Sequence, residues 1–334
     1  MAIALESFPS GKLALSQSVS PRSDWTFADW CENRERLTTE ARHTVDVLLE
    51  EAGTQECDRA EENLTDRTGL WLVRDRIVDV SPLADLTNLT TLGLYENQIV
   101  DVSSLADLTN LTELWLHKNQ IVDVSPLAGL TNLTTLWLNE NQIVDLAPLA
   151  SLTDLKRLWL NGNEIEDLAP LASLSNLGLL KLNGNEIEDL APLASLTALR
   201  GLWLDENQIA DVSPLSSLTN LEGLWLNGNE IEDLAPLASL TALRGLWLDE
   251  NQIADVSPLS SLTNLEGLWL HGNEIEDVSP LTGLTSLKEL FLEGNQIEDV
   301  SPLDSLTNLE NLVLRDNPIG NRTCPVQPET ICRF

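Results

Sequence analysis

Cations are scarce in this chain: 19 lysines and arginines stand against 53 aspartates and glutamates, a formal charge of −34. A field of that sign repels phosphate backbones and anionic headgroups, which excludes nucleic acid and an electrostatic membrane partner and favours a cationic one. Histidine is scarcer still, at three residues, with His117 and His271 far apart in the sequence. No nucleophile–base pair can be assembled from them, and no pair of carboxylates stands out, so the chain reads as non-enzymatic, with no cofactor. Long apolar runs are absent as well. Leucine-rich stretches are interrupted every two or three positions and never approach the roughly 18 residues of a membrane span, so no membrane insertion is expected.

What the chain has instead is a period. Leu89-Thr-Thr-Leu92-Gly-Leu94-Tyr-Glu-Asn97-Gln-Ile99-Val-Asp101-Val102 returns every 22 residues as far as Leu287 to Val300. Eleven units fill residues 67–308, and a partial twelfth with a C-terminal cap fills 309–334. Leu92 and Leu94 alternate as a short strand does, Asn97 and the next residues turn the chain, and Asp-Val-Ser-Pro-Leu, as at Asp79 to Leu83, opens a helical return with Ser as N-cap and Pro at the first helical position. The consensus LxxLxLxxNxIxD(V/L)xPLxxLxx resembles the leucine-rich-repeat family, in the 22-residue class of bacterial internalins, over roughly residues 67–317. The resemblance implies an α/β solenoid: a curved horseshoe with a parallel β-sheet on the concave face and short 3-10 or helical turns on the convex side.

A lone unit cannot fold. Its seven apolar anchors contribute roughly 10–20 kcal/mol if all are buried, whereas ordering 22 residues costs roughly 33 kcal/mol. Only stacking closes that gap.

In LxxLxLxx the third, fifth and seventh positions face outward on the sheet. The fifth reads Trp71, Gly93, Trp115, Trp137, Trp159, Lys181, Trp203, Trp225, Trp247, Trp269, Phe291 and Val313, and holds eight of the ten tryptophans. Parallel strands lie about 4.8 Å apart, so the indoles should form an offset comb. Gly201, Gly223, Gly245 and Gly267 at the third position leave room for rings lying flat on the sheet, a floor suited to a protein hot spot or to sugar faces. His117 and His271 belong to the polar seventh column edging that floor. A competing view is that repeat copying spread the tryptophans, since residues 199–242 and 243–286 are nearly one text, and that they merely stabilise the sheet by stacking.

Two further ladders have structural readings. Asn97 and its eleven-fold column to Asn317 can satisfy turn backbone groups with both donors and an acceptor. The Asp column from Asp79 to Asp299 could hold calcium, but it precedes an apolar residue and a helical turn without glycine-rich loops, so capping is the reading and no metal site is expected.

The ends differ. Residues 1–22 read as a disordered leader, and no secretory signal is visible because Met1 to Glu6 lacks a basic start and an apolar core. Residues 23–66 read as an N-terminal cap of one or two helices stopped at Gly53. Cys31 and Cys57 flank that helix and Cys324 and Cys332 flank the proline-rich tail, so one local disulfide per cap is the simplest pairing, with free thiols in a cytosolic protein and, less readily, a zinc site as alternatives. The layout resembles exported leucine-rich-repeat proteins of bacteria, cyanobacteria among them, with cysteine-bearing caps. That implies an extracellular, periplasmic or cell-surface location; the missing signal leaves the cytoplasm as the alternative. The expected function is a monomeric protein-interaction scaffold that binds a protein ligand on the concave face. A carbohydrate-binding surface protein and an intracellular regulatory subunit docked on an enzyme stand beside it.

Overall fold

Seven apolar columns build the core. In the unit beginning at Leu199, Leu199, Leu202, Leu204, Ile209, Val212, Leu215 and Leu218 are at most 1% exposed, and the same columns are buried in every unit from Leu89 to Leu303. Leu202 and Leu204 point inward because they alternate along an extended segment. The computed structural model describes residues 25–334, so the leader expected over 1–22 lies outside the described residues.

Each unit contributes one three-residue strand, from β1 (Gly69–Trp71) and β2 (Thr91–Gly93) to β12 (Asn311–Val313), followed by β13 (Cys332–Arg333). All thirteen form a single parallel sheet in sequence order. The register is one unit: Gly223, Leu224 and Trp225 pair with Gly245, Leu246 and Trp247. Short 3-10 turns such as Ser213–Ser217 and Ala235–Ser239 return the chain on the other side of the leucines. The architecture is the expected α/β solenoid, with the strands on the concave face.

The turn after each strand needs one left-handed residue. Gly162, Gly184 and Gly228 take it without steric cost, whereas Glu206 and Glu250 hold φ of +55° in the same place.

Asn is the bolt between coils. Asn207 Nδ2 donates to Leu204 O at 3.0 Å and to Leu182 O of the preceding coil at 3.1 Å, while its Oδ1 accepts from Ile187 N at 3.2 Å. The pattern repeats from Asn97 to Asn317.

The Asp column caps the 3-10 turns, but Ser is not the capping side chain. In all eleven units the Asp carboxylate accepts the backbone N–H two residues on, as from Ser213 N to Asp211 at 2.8 Å. Ser or Ala is the first residue of the turn and Pro the second, except at Ser103, which Ser104 follows. Asp takes the role because its carboxylate reaches the N–H two residues on, the local side-chain-to-backbone bond of an Asx turn. The backbone bond from Ser213, then its hydroxyl, holds the Asp211 carboxyl below its ordinary range.

Three helices cover the first coil where one or two were expected: α1 (Phe27–Glu32), α2 (Thr39–Ala52) and α3 (Cys57–Thr65). Thr38 caps α2 by accepting from Ala41 N at 3.1 Å, and Gly53 ends it with φ of +70°. The Thr44 hydroxyl donates to Asp79 O at 2.7 Å, tying α2 to the first coil. A Cys31–Cys57 disulfide joins α1 to α3. At the other end a Cys324–Cys332 disulfide folds the tail back, so that β13 pairs with β12 and protects its edge.

Replacing Asn207 with Ala orphans the buried Ile187 N–H and takes one of two donors from each of the Leu182 and Leu204 carbonyls, which keep Asn185 and Asn229, and should lower the unfolding free energy by about 2 kcal/mol in urea denaturation. An unchanged midpoint would remove the Asn bolt from the account.

Candidate functional site

The outward face of the sheet is set by the same alternation that buries the leucines, and its fifth column carries the indoles in two groups. In the C-terminal group Trp203, Trp225, Trp247 and Trp269 stack face to face, with centroids 4.2–4.3 Å apart and planes within 12°. Phe291 extends the stack at 5.5 Å. Lys181 closes its other end, with Nζ 4.5 Å from the centre of the Trp203 ring.

The rings are therefore a comb standing on edge, and the flat floor expected from the glycines is not formed. Strand spacing explains this: rings about 4.8 Å apart gain contact by meeting face to face, which turns each plane across the sheet. The glycines serve the comb differently. A Cβ on Gly245 would lie 2.5 Å from Trp247 Cζ3, and one on Gly223 2.6 Å from Trp225 Cη2, so each ring rests its benzenoid edge on the glycine two residues before it.

The N-terminal group is less regular. Trp115 stacks on Trp137 at 4.4 Å and 7°, and Trp159 tilts by 47° against Trp137. Trp71 meets Trp115 edge-on at 4.7 Å, its ring lying where a Gly93 side chain would be. His117 stacks on Tyr95 at 4.4 Å, and burial followed by nearby Lys118 pushes its imidazole below the ordinary range, which favours the neutral ring. Tyr95 was not among the residues singled out from sequence, although it stands in the same seventh column as His117. The indole N–H groups of Trp115 and Trp137 are buried without a partner among the described residues.

Further along, the seventh column becomes a hydrogen-bonded rail. Asp205 Oδ1 accepts from Asn227 N at 3.0 Å, Asn227 Oδ1 from Asp249 N at 2.9 Å, and Asp249 Oδ1 from His271 N at 2.7 Å. His271 continues it through Nδ1, 3.0 Å from Glu293 O. Burial raises the carboxyls of Asp205 and Asp249 against the pull of these bonds.

The second column, which the sequence reading passed over, forms the opposite flank. It alternates Arg200, Glu222, Arg244, Glu266, Lys288 and Glu310. Arg200 pairs with Glu222 at 2.6 Å, and Glu266 with both Arg244 at 2.8 Å and Lys288 at 2.6 Å. Reading that column down the alignment would have found it. Between this flank and the comb runs an open groove of about 800 Å³.

The sequence residues thus fall on one face in three blocks: Trp115, His117, Trp137 and Trp159; then Lys181; then Trp203 to Phe291 with His271 on the rail. Cys31, Cys57, Cys324 and Cys332 lie in the caps, away from it. Among the described residues no helix is long and apolar enough to cross a membrane.

A family model described as leucine-rich repeats in two copies matches residues 87–129, 109–151, 131–173, 153–195, 197–239, 241–283 and 285–322. Among solved structures the chain is similar to an internalin (inlF) from Listeria monocytogenes, at 35% identity over 84% of this chain and 90% of that one, with a TM-score of 0.73. It is similar to internalin C2 (inlC2) of the same organism at 38% identity over 61% and 91%, TM-score 0.58. A leucine-rich-repeat protein of Leptospira interrogans shares the fold at 24% identity over 79% and 88%, TM-score 0.56. No curated protein matches the chain.

Two substitutions check this geometry. Gly245→Ala should swing the Trp247 ring out of the stack and reduce the exciton couplet of the indoles in circular dichroism, leaving the backbone signal in place. Asp249→Asn should stabilise the protein at neutral pH, because Asn227 already accepts the same bond uncharged. A carboxyl whose folded value is raised gains stability as pH falls through that value, so the gap between variant and parent should close in acid. A gap that is constant with pH would contradict the burial assigned to Asp249.

Proposed function

This chain belongs to the leucine-rich-repeat family, in its internalin-like class, and from that premise we propose that it is a non-enzymatic scaffold gripping a partner protein on its concave face. Trp115, Trp137, Trp159, Trp203, Trp225, Trp247 and Trp269 are the anchors, with Lys181, Phe291, His117 and His271 among them. The observation that carries the reading is the comb beside its groove. Four stacked indoles offer solvent a rigid row of ring edges whose conformational entropy is already spent, flanked by a charged ladder and a polar rail. Rigid aromatic anchors inside a polar rim are the composition of protein hot spots.

The comb speaks against the glycan alternative. Sugars lie on aromatic faces, and here each inner face is already covered by the next ring, by Lys181 or by Phe291. Stacking also stabilises the sheet, by about 0.5–1.5 kcal/mol per pair, so the structural and binding roles of the rings coexist. The two disulfides support export to an oxidising compartment, outside the cell or at its surface, over an intracellular docking subunit.

Trp225→Ala with Trp247→Ala should weaken partner affinity about 100-fold or more, measured by biolayer interferometry against proteins retained by the parent. Ser216→Ala, in a 3-10 turn of the opposite face, should leave it unchanged. A glycan array bound by the parent and blank for the double variant would replace the protein partner with a carbohydrate.

A further inference from the structure

The cations of the repeats are not scattered. Residues 77–308 contain Lys118, Lys156, Arg157, Lys181, Arg200, Arg244 and Lys288, and all but Lys118 occupy the second, third or fifth column, on the concave strands or their edge. Four of them, Lys156, Arg157, Lys181 and Arg200, fall in three consecutive units. Over the same units the outward columns hold a single acid, Asp205, which is already engaged by Asn227 N–H at 3.0 Å. A chain of −34 therefore carries a local positive island at the gap between its two groups of indoles.

The island has a pocket. Lys156, Arg157 and Arg200 line an opening of about 510 Å³ with Thr135, Leu179 and Gly178. Gly178 takes the second-column place between Lys156 and Arg200, and the absence of a side chain there creates the space. Lys156 and Arg157 are exposed and have no ion-pair partner among the described residues; Arg200 is shared with Glu222. Lys181 stands in the adjacent fifth column. Three units span about 10 Å, close to the Debye length of about 8 Å at physiological salt. At that range the four cations act together on a charge at the surface.

We infer that this pocket receives an acidic side chain of the bound protein, its carboxylate held by Arg157 and Lys156 while the flanking indole groups contact apolar residues on either side. Guanidinium binds carboxylate through two parallel N–H···O bonds, and the neighbouring ammonium adds a point charge, so the site prefers carboxylate to a neutral amide. The overall charge favours cationic partners at long range; the pocket selects for one acidic residue at contact and fixes the partner's register along the comb. The inference rests on the concave-face reading.

The test uses the full chain labelled with 15N and a blocked Glu-Glu-Gly-Glu-Glu peptide, with a blocked Lys-Lys-Gly-Lys-Lys peptide as control. The glutamate peptide should shift the indole N–H resonances of Trp159 and Trp203 saturably, and the lysine peptide should not shift them. Lys156→Ala with Arg157→Ala, both exposed and outside the core, should weaken the glutamate peptide at least tenfold, and Arg157→Lys should restore part of the loss. No saturable shift, equal shifts with both peptides, or full affinity in the double variant would overturn the pocket. Should the indole variants lose the partner while the peptide has no effect, the pocket fails and the concave face stands. Should the peptide bind as described while the indole variants keep full partner affinity, the pocket stands and the concave face fails.

Discussion

One amide per coil sets the terms for everything else. Each Asn of the ladder bonds its own strand end, the strand end of the coil before it, and the Ile N–H of that same earlier coil. These groups are buried, where an unpaired donor or acceptor costs about 1–3 kcal/mol. The bonds can all form only if consecutive coils are the same length and in the same phase. That requirement holds the unit at 22 residues, aligns Leu with Leu and Trp with Trp across twelve strands, and converts a column of the sequence into a line on the surface.

Because columns become lines, most of the fold was legible in the sequence. The buried Leu, Ile and Val columns, the Asn ladder and the placement of the tryptophans all follow from period and alternation. What was not legible depends on side chains choosing among neighbours. Ser and Asp both cap turns by propensity, and only the reach to the N–H two residues on decides for Asp211 over Ser213. Gly245 admits a flat ring and an upright one equally, and the choice is made by the ring on the next strand, which no single unit contains. The second-column charges are an alternation between units, from Arg200 to Glu310, that no single unit contains. A third helix in the N-terminal cap escaped because the helices on either side of Thr39–Ala52 are only six and nine residues long.

The charge of the molecule has an internal order that its sum conceals. The Asp of every unit is engaged in capping a turn, so the long acidic rows serve local structure on one side of the core. Nearly all cations of the repeats lie on the other side, interleaved with glutamates or gathered between the indole groups. A net value near −34 thus describes behaviour at a distance, and the concave face presents a different, patterned surface to anything already inside it.

The alternation along the second column also constrains how such a molecule can change length. Arg200, Glu222, Arg244 and Glu266 alternate in sign, and Asp205, Asn227 and Asp249 alternate between charged and neutral along the rail. Inserting or losing one coil here would set Arg beside Arg or Glu beside Glu, and Asp beside Asp, at a spacing of about 4.8 Å. Inserting two preserves both sequences of neighbours. The near identity of residues 199–242 and 243–286 is what that arithmetic allows: the array is even-stepped, a ruler whose graduations are added in pairs.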